Sequence, residues 1–115
     1  MNRLNLIQGD DQSIPIEVIN EETGQPEDIT GWKFYFTVKN SWRDPDDEAV
    51  IAIDVDDHID PTQGKTAIPI TAAEATVQPK VYQYDIQAKD NLGNIITIVA
   101  NEIVSIIPEI TRRSD

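Results

Sequence analysis

At 115 residues the chain is long enough for one domain with its own hydrophobic core, and with no cysteine that core must form without disulfides or thiolate metal sites. Twenty-one acidic residues against nine basic ones give a formal charge of -12. Such a surface repels phosphate, so direct nucleic-acid binding is excluded and the acidity is read as serving solubility. No apolar run approaches the roughly 20 residues that cross a bilayer, and Met1-Asn2-Arg3-Leu4 lacks the apolar segment of a secretion signal. The expectation is one soluble domain over 1–115 with no membrane association.

Leu4-Asn5-Leu6-Ile7 reads as a short strand closed by Gln8-Gly9-Asp10-Asp11. From Ser13 to Ile19 the chain alternates, with Ile14, Ile16 and Val18 inward and Pro15 on the other parity. Proline removes a ladder donor, which places this strand at an edge or at a bulge. A polar loop over 20–27 follows. Asp28-Ile29-Thr30-Gly31 then turns into the best-patterned stretch, where Phe34, Phe36 and Val38 face one way and Lys33, Tyr35, Thr37 and Lys39 the other. A period of two in aromatic and β-branched residues predicts a central strand buried on one face.

Residues 40–48 form the longest stretch without a period and contain Trp42 and Arg43. Two readings fit them: a mobile connector whose Trp42 covers the sandwich edge, or a contact surface anchored by Trp42. Ala49 to Val55 alternates as another strand, and an acidic turn over 56–64 leads into a strand from Lys65 to Ile70. Thr71 and Glu74 have the capping-box spacing and predict a single helical turn, stopped by Pro79, that crosses from one sheet to the other. Val81 to Ala88 puts Tyr82, Tyr84 and Ile86 inward, Lys89 to Asn94 is a hairpin loop, and Ile95 to Val99 returns. Ala100-Asn101-Glu102 predicts a bulge or bend before a last strand at Ile103 to Ile107, and 111–115 reads as a frayed tail or linker.

Seven or eight short strands with one helical turn predict an all-β, antiparallel, immunoglobulin-like β-sandwich, a small barrel or jelly roll being the alternative. Tyr82 stands after a proline corner at the start of a late strand, where such sandwiches carry a tyrosine corner; an ordinary core aromatic is the plainer reading.

Candidate chemistry is sparse. His58 lies among Asp54, Asp56, Asp57 and Asp60, a set that suggests a hard cation, but Ile59 occupies the place of the turn glycine of a calcium loop. A solvated acidic turn is the reading taken, as it is for Asp44, Asp46, Asp47 and Glu48. Asp85, inside a strand, is expected to pair with Lys33 or Lys39 across the sheet. The serines lack a nucleophile-elbow context and the five glycines form no phosphate loop. The chain therefore reads as non-enzymatic, with no catalytic residue, metal or cofactor.

Gln8-Gly9-Asp10-Asp11, the run from Gly24 to Gly31, Phe36-Thr37-Val38-Lys39, Gln63-Gly64-Lys65, Ile70-Thr71-Ala72-Ala73-Glu74 and Tyr82-Gln83-Tyr84-Asp85-Ile86-Gln87 together resemble a recurring phage domain. It is similar to the immunoglobulin-like N-terminal domain of phage baseplate upper proteins, also found in small tail and prophage proteins. Lys80 and Asn101 stand where such domains often carry glycine. The resemblance implies a structural module of a tailed-phage or prophage virion, made in the bacterial cytoplasm and assembled with other tail or baseplate proteins or with its own copies. Trp42, Arg43 and the edge around Pro15 are the expected contacts. A second expectation is a carbohydrate- or ligand-binding sandwich with Trp32, Tyr35 and Trp42 as a stacking platform, which requires those rings to be exposed; the structural reading instead requires Trp32 to be largely buried.

Overall fold

The computed structural model describes residues 3–108. Seven strands are found among them: β1 Leu4–Ile7, β2 Gln12–Glu17, β3 Lys33–Lys39, β4 Ile51–Val55, β5 Lys65–Ile70, β6 Val81–Lys89 and β7 Ile95–Ile107. They form a five-stranded sheet in the order β1-β7-β6-β3-β4, covered by a two-stranded sheet of β2 and β5. All pairings are antiparallel except that of β1 with β7. The architecture is an immunoglobulin-like β-sandwich.

The alternation in the chain becomes the core directly. Phe34, Phe36 and Val38 of β3, Ile51, Ile53 and Val55 of β4, and Tyr82, Tyr84, Ile86 and Ala88 of β6 all face Ile68 and Ile70 of the covering sheet and are buried. Burying a phenylalanine or isoleucine side chain contributes about 1.5–3 kcal/mol, so β3 and β6 carry a large share of the stabilisation. Phe36 and Tyr84 add a tilted ring contact at 5.8 Å. Gly31 at the entrance to β3 has φ 83°, and a side chain there would collide with the Asn91 amide, which donates to the Thr30 carbonyl at 2.8 Å. The hairpin loop between β6 and β7 is thereby tied to the turn before β3.

Tyr82 forms the tyrosine corner, its hydroxyl donating to the Gln78 carbonyl at 2.7 Å while the ring is buried. The Thr71–Glu74 capping box is also present: the Thr71 N–H donates to Glu74 Oε1 at 2.9 Å and the Glu74 N–H to Thr71 Oγ1 at 3.2 Å. It closes one turn, with Ala75 N–H bonded to the Thr71 carbonyl, and does not propagate into a helix. The short helical segments lie elsewhere, as 3-10 turns at Asp46–Glu48 and Pro61–Gln63. The expected bend at 100–102 is a bulge inside one 13-residue strand: Tyr84 pairs with Glu102 but Ile86 with Val99, leaving an extra residue opposite Asp85. Asn101 and Lys80 take their places without positive φ, since only glycines have it among the described residues. The tail at 111–115 lies outside the described residues.

In the two-stranded sheet, Val18 N–H bonds to the Gly64 carbonyl at 2.8 Å, continuing the β2–β5 register and assigning the even-numbered residues of β2 to the hydrogen-bonded pairs. Pro15 and Ala67 therefore face each other, as do Ser13 and Pro69, with backbone groups directed to the two free edges. The repeated Ile-Pro-Ile of β2 and β5 buries or half-buries its isoleucines and aims both missing N–H positions outward. Proline is tolerated there because no ladder bond is lost, and it denies another chain a pairing donor.

Tyr82→Phe is expected to cost about 1–2 kcal/mol by leaving the Gln78 carbonyl without its buried partner. Urea denaturation would show this as a lower midpoint at an unchanged slope, whereas an unchanged midpoint would mean that the corner carries no stability.

Candidate binding face

Because successive side chains alternate, burying one face of β3, β4 and β6 leaves the opposite set together on the other face of the large sheet. The register places Tyr35 beside Asp54 and Gln87, Thr37 beside Ala52 and Asp85, and Lys39 beside Gln83. These side chains line a groove of about 650 Å³ that Trp42 and Asp46 rim from the β3–β4 loop and that Ile95 and Asn101 reach from β7. The groove is mixed in character, with two lysines, three aspartates and exposed or half-exposed rings.

The β3–β4 loop is fastened to this face. Lys39 Nζ donates to the Asp44 carbonyl at 2.8 Å and to Asp46 Oδ1 at 2.7 Å, and Gln83 Oε1 accepts from the Trp42 N–H at 2.7 Å. Asp46 is almost fully exposed, so the ion pair itself contributes only about 0.5 kcal/mol; its effect is to fix the loop. Trp42 is held 59% exposed with the Arg43 guanidinium over its ring at 5.1 Å. Of the two readings of this loop, the mobile connector with a covering tryptophan is therefore corrected. Residues that pin a loop to the neighbouring strands do not leave Trp42 free to fold back, and the ring stands in solvent.

Pro15 does not join Trp42 and Arg43. It lies on the covering sheet, exposed on the β2 edge and away from the groove. Trp32 is buried and stacked on Phe34 at 6.3 Å, so a platform of Trp32, Tyr35 and Trp42 does not exist; only the latter two line the groove. Lys33 reaches Asp54 at 3.7 Å, and Lys39 is the cation that acts on Asp85. Partial burial pushes the Asp85 carboxyl up, Lys39 pulls it back and Asp46 adds to the rise. Burial also raises the Tyr84 phenol, helped by the charge of Glu102.

The acidic turn is solvated at Asp56, Asp57 and Asp60 as expected, but His58 within it is half-buried and partnered. Its Nε2 lies 2.7 Å from the Trp32 carbonyl and its Nδ1 2.8 Å from Thr66 Oγ1, with the Phe34 ring edge-on at 5.4 Å. A carbonyl only accepts, so Nε2 carries a proton and donates to Trp32, and in the neutral ring Nδ1 accepts from the buried Thr66 hydroxyl. Both ring nitrogens are used in joining the 56–64 loop to the residue just before β3 and to β5. Among the described residues no three potential ligands from histidine, aspartate and glutamate converge.

Lys39 and Gln83 were legible only as the polar parity of two strands, and Asp46 only as one acid of a loop. Which of them meet depends on pairing register, for which the sequence holds no local signal.

The chain matches no protein-family model and no curated protein. Among solved structures it is similar to Tim-2, at 9% identity and TM-score 0.48 over 97% of this chain and 96% of that one. It is also similar to murine CRIg, at 11% identity and TM-score 0.37 over 93% and 92%. At such identities the likeness concerns fold only.

Asp85→Asn tests the electrostatics of the groove. A carboxyl raised above its usual 3.8 contributes stability that is fully present below that value and is lost as pH rises through the folded pKa. The variant is thus expected to be more stable than the parent at pH 7, with the difference shrinking toward pH 3, as thermal melts across that range would show. A variant less stable at pH 7 would mean that attraction to Lys39 outweighs desolvation.

Proposed function

We propose that this chain is a non-enzymatic structural and interaction module of a tailed-phage or prophage virion, a component of the tail or baseplate that is made in the host cytoplasm before assembly. The resemblance of its turns and strands to the phage domain supplies the context. The observation that carries an interaction role is Trp42, held in solvent at the rim of the groove by Lys39 and Gln83. An aromatic anchor on a pinned loop loses little entropy on docking, which is how a small contact gains strength, and repetition in a symmetric assembly multiplies it. The non-enzymatic reading is supported by the sole histidine, both nitrogens of which are engaged in packing contacts.

A second reading, a carbohydrate- or ligand-binding module, is favoured by one observation: Tyr35 and Trp42 line the same groove as Asp85, Gln83 and Gln87. Two rings with amides and a carboxylate between them match a sugar's apolar face and hydroxyls.

Purified particles from an induced lysogen encoding a tagged copy are expected to contain the chain, located by electron microscopy at the tail or baseplate. Trp42→Ala is expected to weaken its binding to the adjacent particle protein by about 2 kcal/mol or more, with the fold retained. Particles without the chain would contradict the virion role, and glycan-array binding lost in Trp42→Ala would favour the second reading.

A further inference from the structure

Two sheets that close no barrel leave four strand edges, each a template for another chain unless it is blocked. Three are blocked in this molecule, each by a different arrangement. On β1, Gln8 N–H bonds to Ile107, so Leu4 and Leu6 also face β7 while Asn5 and Ile7 face outward. The Gln12 side chain then occupies the outward Ile7 groups, accepting from its N–H at 3.0 Å and donating to its carbonyl at 2.9 Å. The outer edge of β2 has Pro15 at its centre. That of β5 has Pro69, and the N–H and carbonyl of Lys65 are both taken by Asp60.

The edge of β4 carries a bulge at its start but, among the described residues, no proline and no group capping Ala52 or Asp54. Val50 N–H reaches the Val38 carbonyl at 2.8 Å beside the Val38–Ile51 pair, a bulge that assigns Ile51, Ile53 and Val55 to β3 and turns the backbone of Ala52 and Asp54 outward. Ile106 N–H bonding to Lys80 gives the same parity when followed through β6 and β3. No proline, side chain or strand among the described residues meets those outward groups. Beside them a cleft of about 240 Å³ opens between β4 and β5, lined by Asp54, Val55, Asp56, Asp57, Ala67 and Pro69.

We infer that the β4 edge accepts an extended segment of a partner protein as a sixth strand of the large sheet, and that the segment carries lysine or arginine. Backbone bonding to Ala52 and Asp54 supplies the affinity of such strand addition, and the cleft supplies selectivity. Three carboxylates line the cleft, and among the described residues the only cation paired with any of them is Lys33, in an exposed bridge to Asp54 at 3.7 Å that a stronger partner can displace. The same charges oppose a second copy of this chain, since antiparallel pairing of two β4 edges brings both sets of aspartates together in a molecule of charge -12. The site goes beyond the virion reading and stands whether or not the partner is a virion protein.

The test uses the described protein, labelled with nitrogen-15, and a peptide of about nine residues alternating valine and lysine, beside its valine–glutamate counterpart. The lysine peptide is expected to shift the Ala52 and Asp54 amides and slow their hydrogen exchange by about tenfold at saturation, and the glutamate peptide to do neither. Ala52→Pro, which copies the device of Pro15 and Pro69, is expected to abolish binding. The triple variant Asp54→Asn, Asp56→Asn, Asp57→Asn retains the edge but is expected to bind the lysine peptide about tenfold more weakly, which keeps the proposal testable if the proline variant fails to fold. Shifts confined to the groove or to other edges, no binding at millimolar peptide, equal binding of both peptides, or dimerisation through β4 in the free protein would each overturn it.

Discussion

The pairing of β3 with β6 is the constraint from which the rest of the molecule follows. Seven residue pairs run in unbroken antiparallel register from Lys33–Lys89 to Lys39–Gln83, and every inward residue along them is aromatic, aliphatic or alanine. A slip of one position would turn either Phe34 and Phe36 or Tyr84 and Ile86 into water, at a cost of several kcal/mol in lost burial. Fixing that register fixes two surfaces at once. One is the core under β2 and β5; the other is the groove, because Tyr35, Lys39, Gln83, Asp85 and Gln87 have nowhere to go except the opposite face. Site and core are the two parities of one pattern.

The covering sheet has only two strands, so both of them are edges, and the molecule handles this chemically. Ile14-Pro15-Ile16 and Ile68-Pro69-Ile70 keep isoleucine on the core side while withholding the donor from solvent. Loops contribute where strands do not. Ile29, Trp32 and Ala75 are buried although none lies in a strand, and His58 ties the 56–64 loop to Trp32, just before β3, and to β5. The large sheet is treated differently at its two ends: a glutamine closes β1, and β4 is left open beside an acidic cleft. Such asymmetry is what a module needs if it is to pair on one side and avoid pairing on the others.

Much of the fold was legible in the chain because the two governing signals are local. Alternation located β2, β3, β4 and β6, and positions that need positive φ or a missing N–H announced Gly31 and the edge role of Pro15. Tyr82 was readable as a corner because its hydroxyl bonds only four residues upstream. What could not be read is non-local. Trp42 stayed open between cover and contact, because nothing in 40–48 reveals that Lys39 and Gln83 would hold the loop with its ring outward. His58 was read from its acidic neighbours in sequence, whereas its partners, Trp32 and Thr66, are set by the fold. The capping box at Thr71–Glu74 was itself a local signal, and it closed the single turn its spacing predicts. The groove itself lay in plain sight as a polar parity; only the register turned separate residues into a surface.

The account rests on β3 and β6 being the rigid spine of the large sheet and on β4 being its open side. Native-state hydrogen exchange resolved residue by residue tests both together. The amides of Tyr35, Thr37, Asp85 and Gln87, which by this parity bond across β3 and β6, should exchange only through global unfolding, while those of Ala52 and Asp54 in the free protein exchange at nearly unprotected rates beside protected Ile51 and Ile53. Slowest exchange in β2 and β5, or protection at Ala52 and Asp54 equal to that of their neighbours, would contradict it.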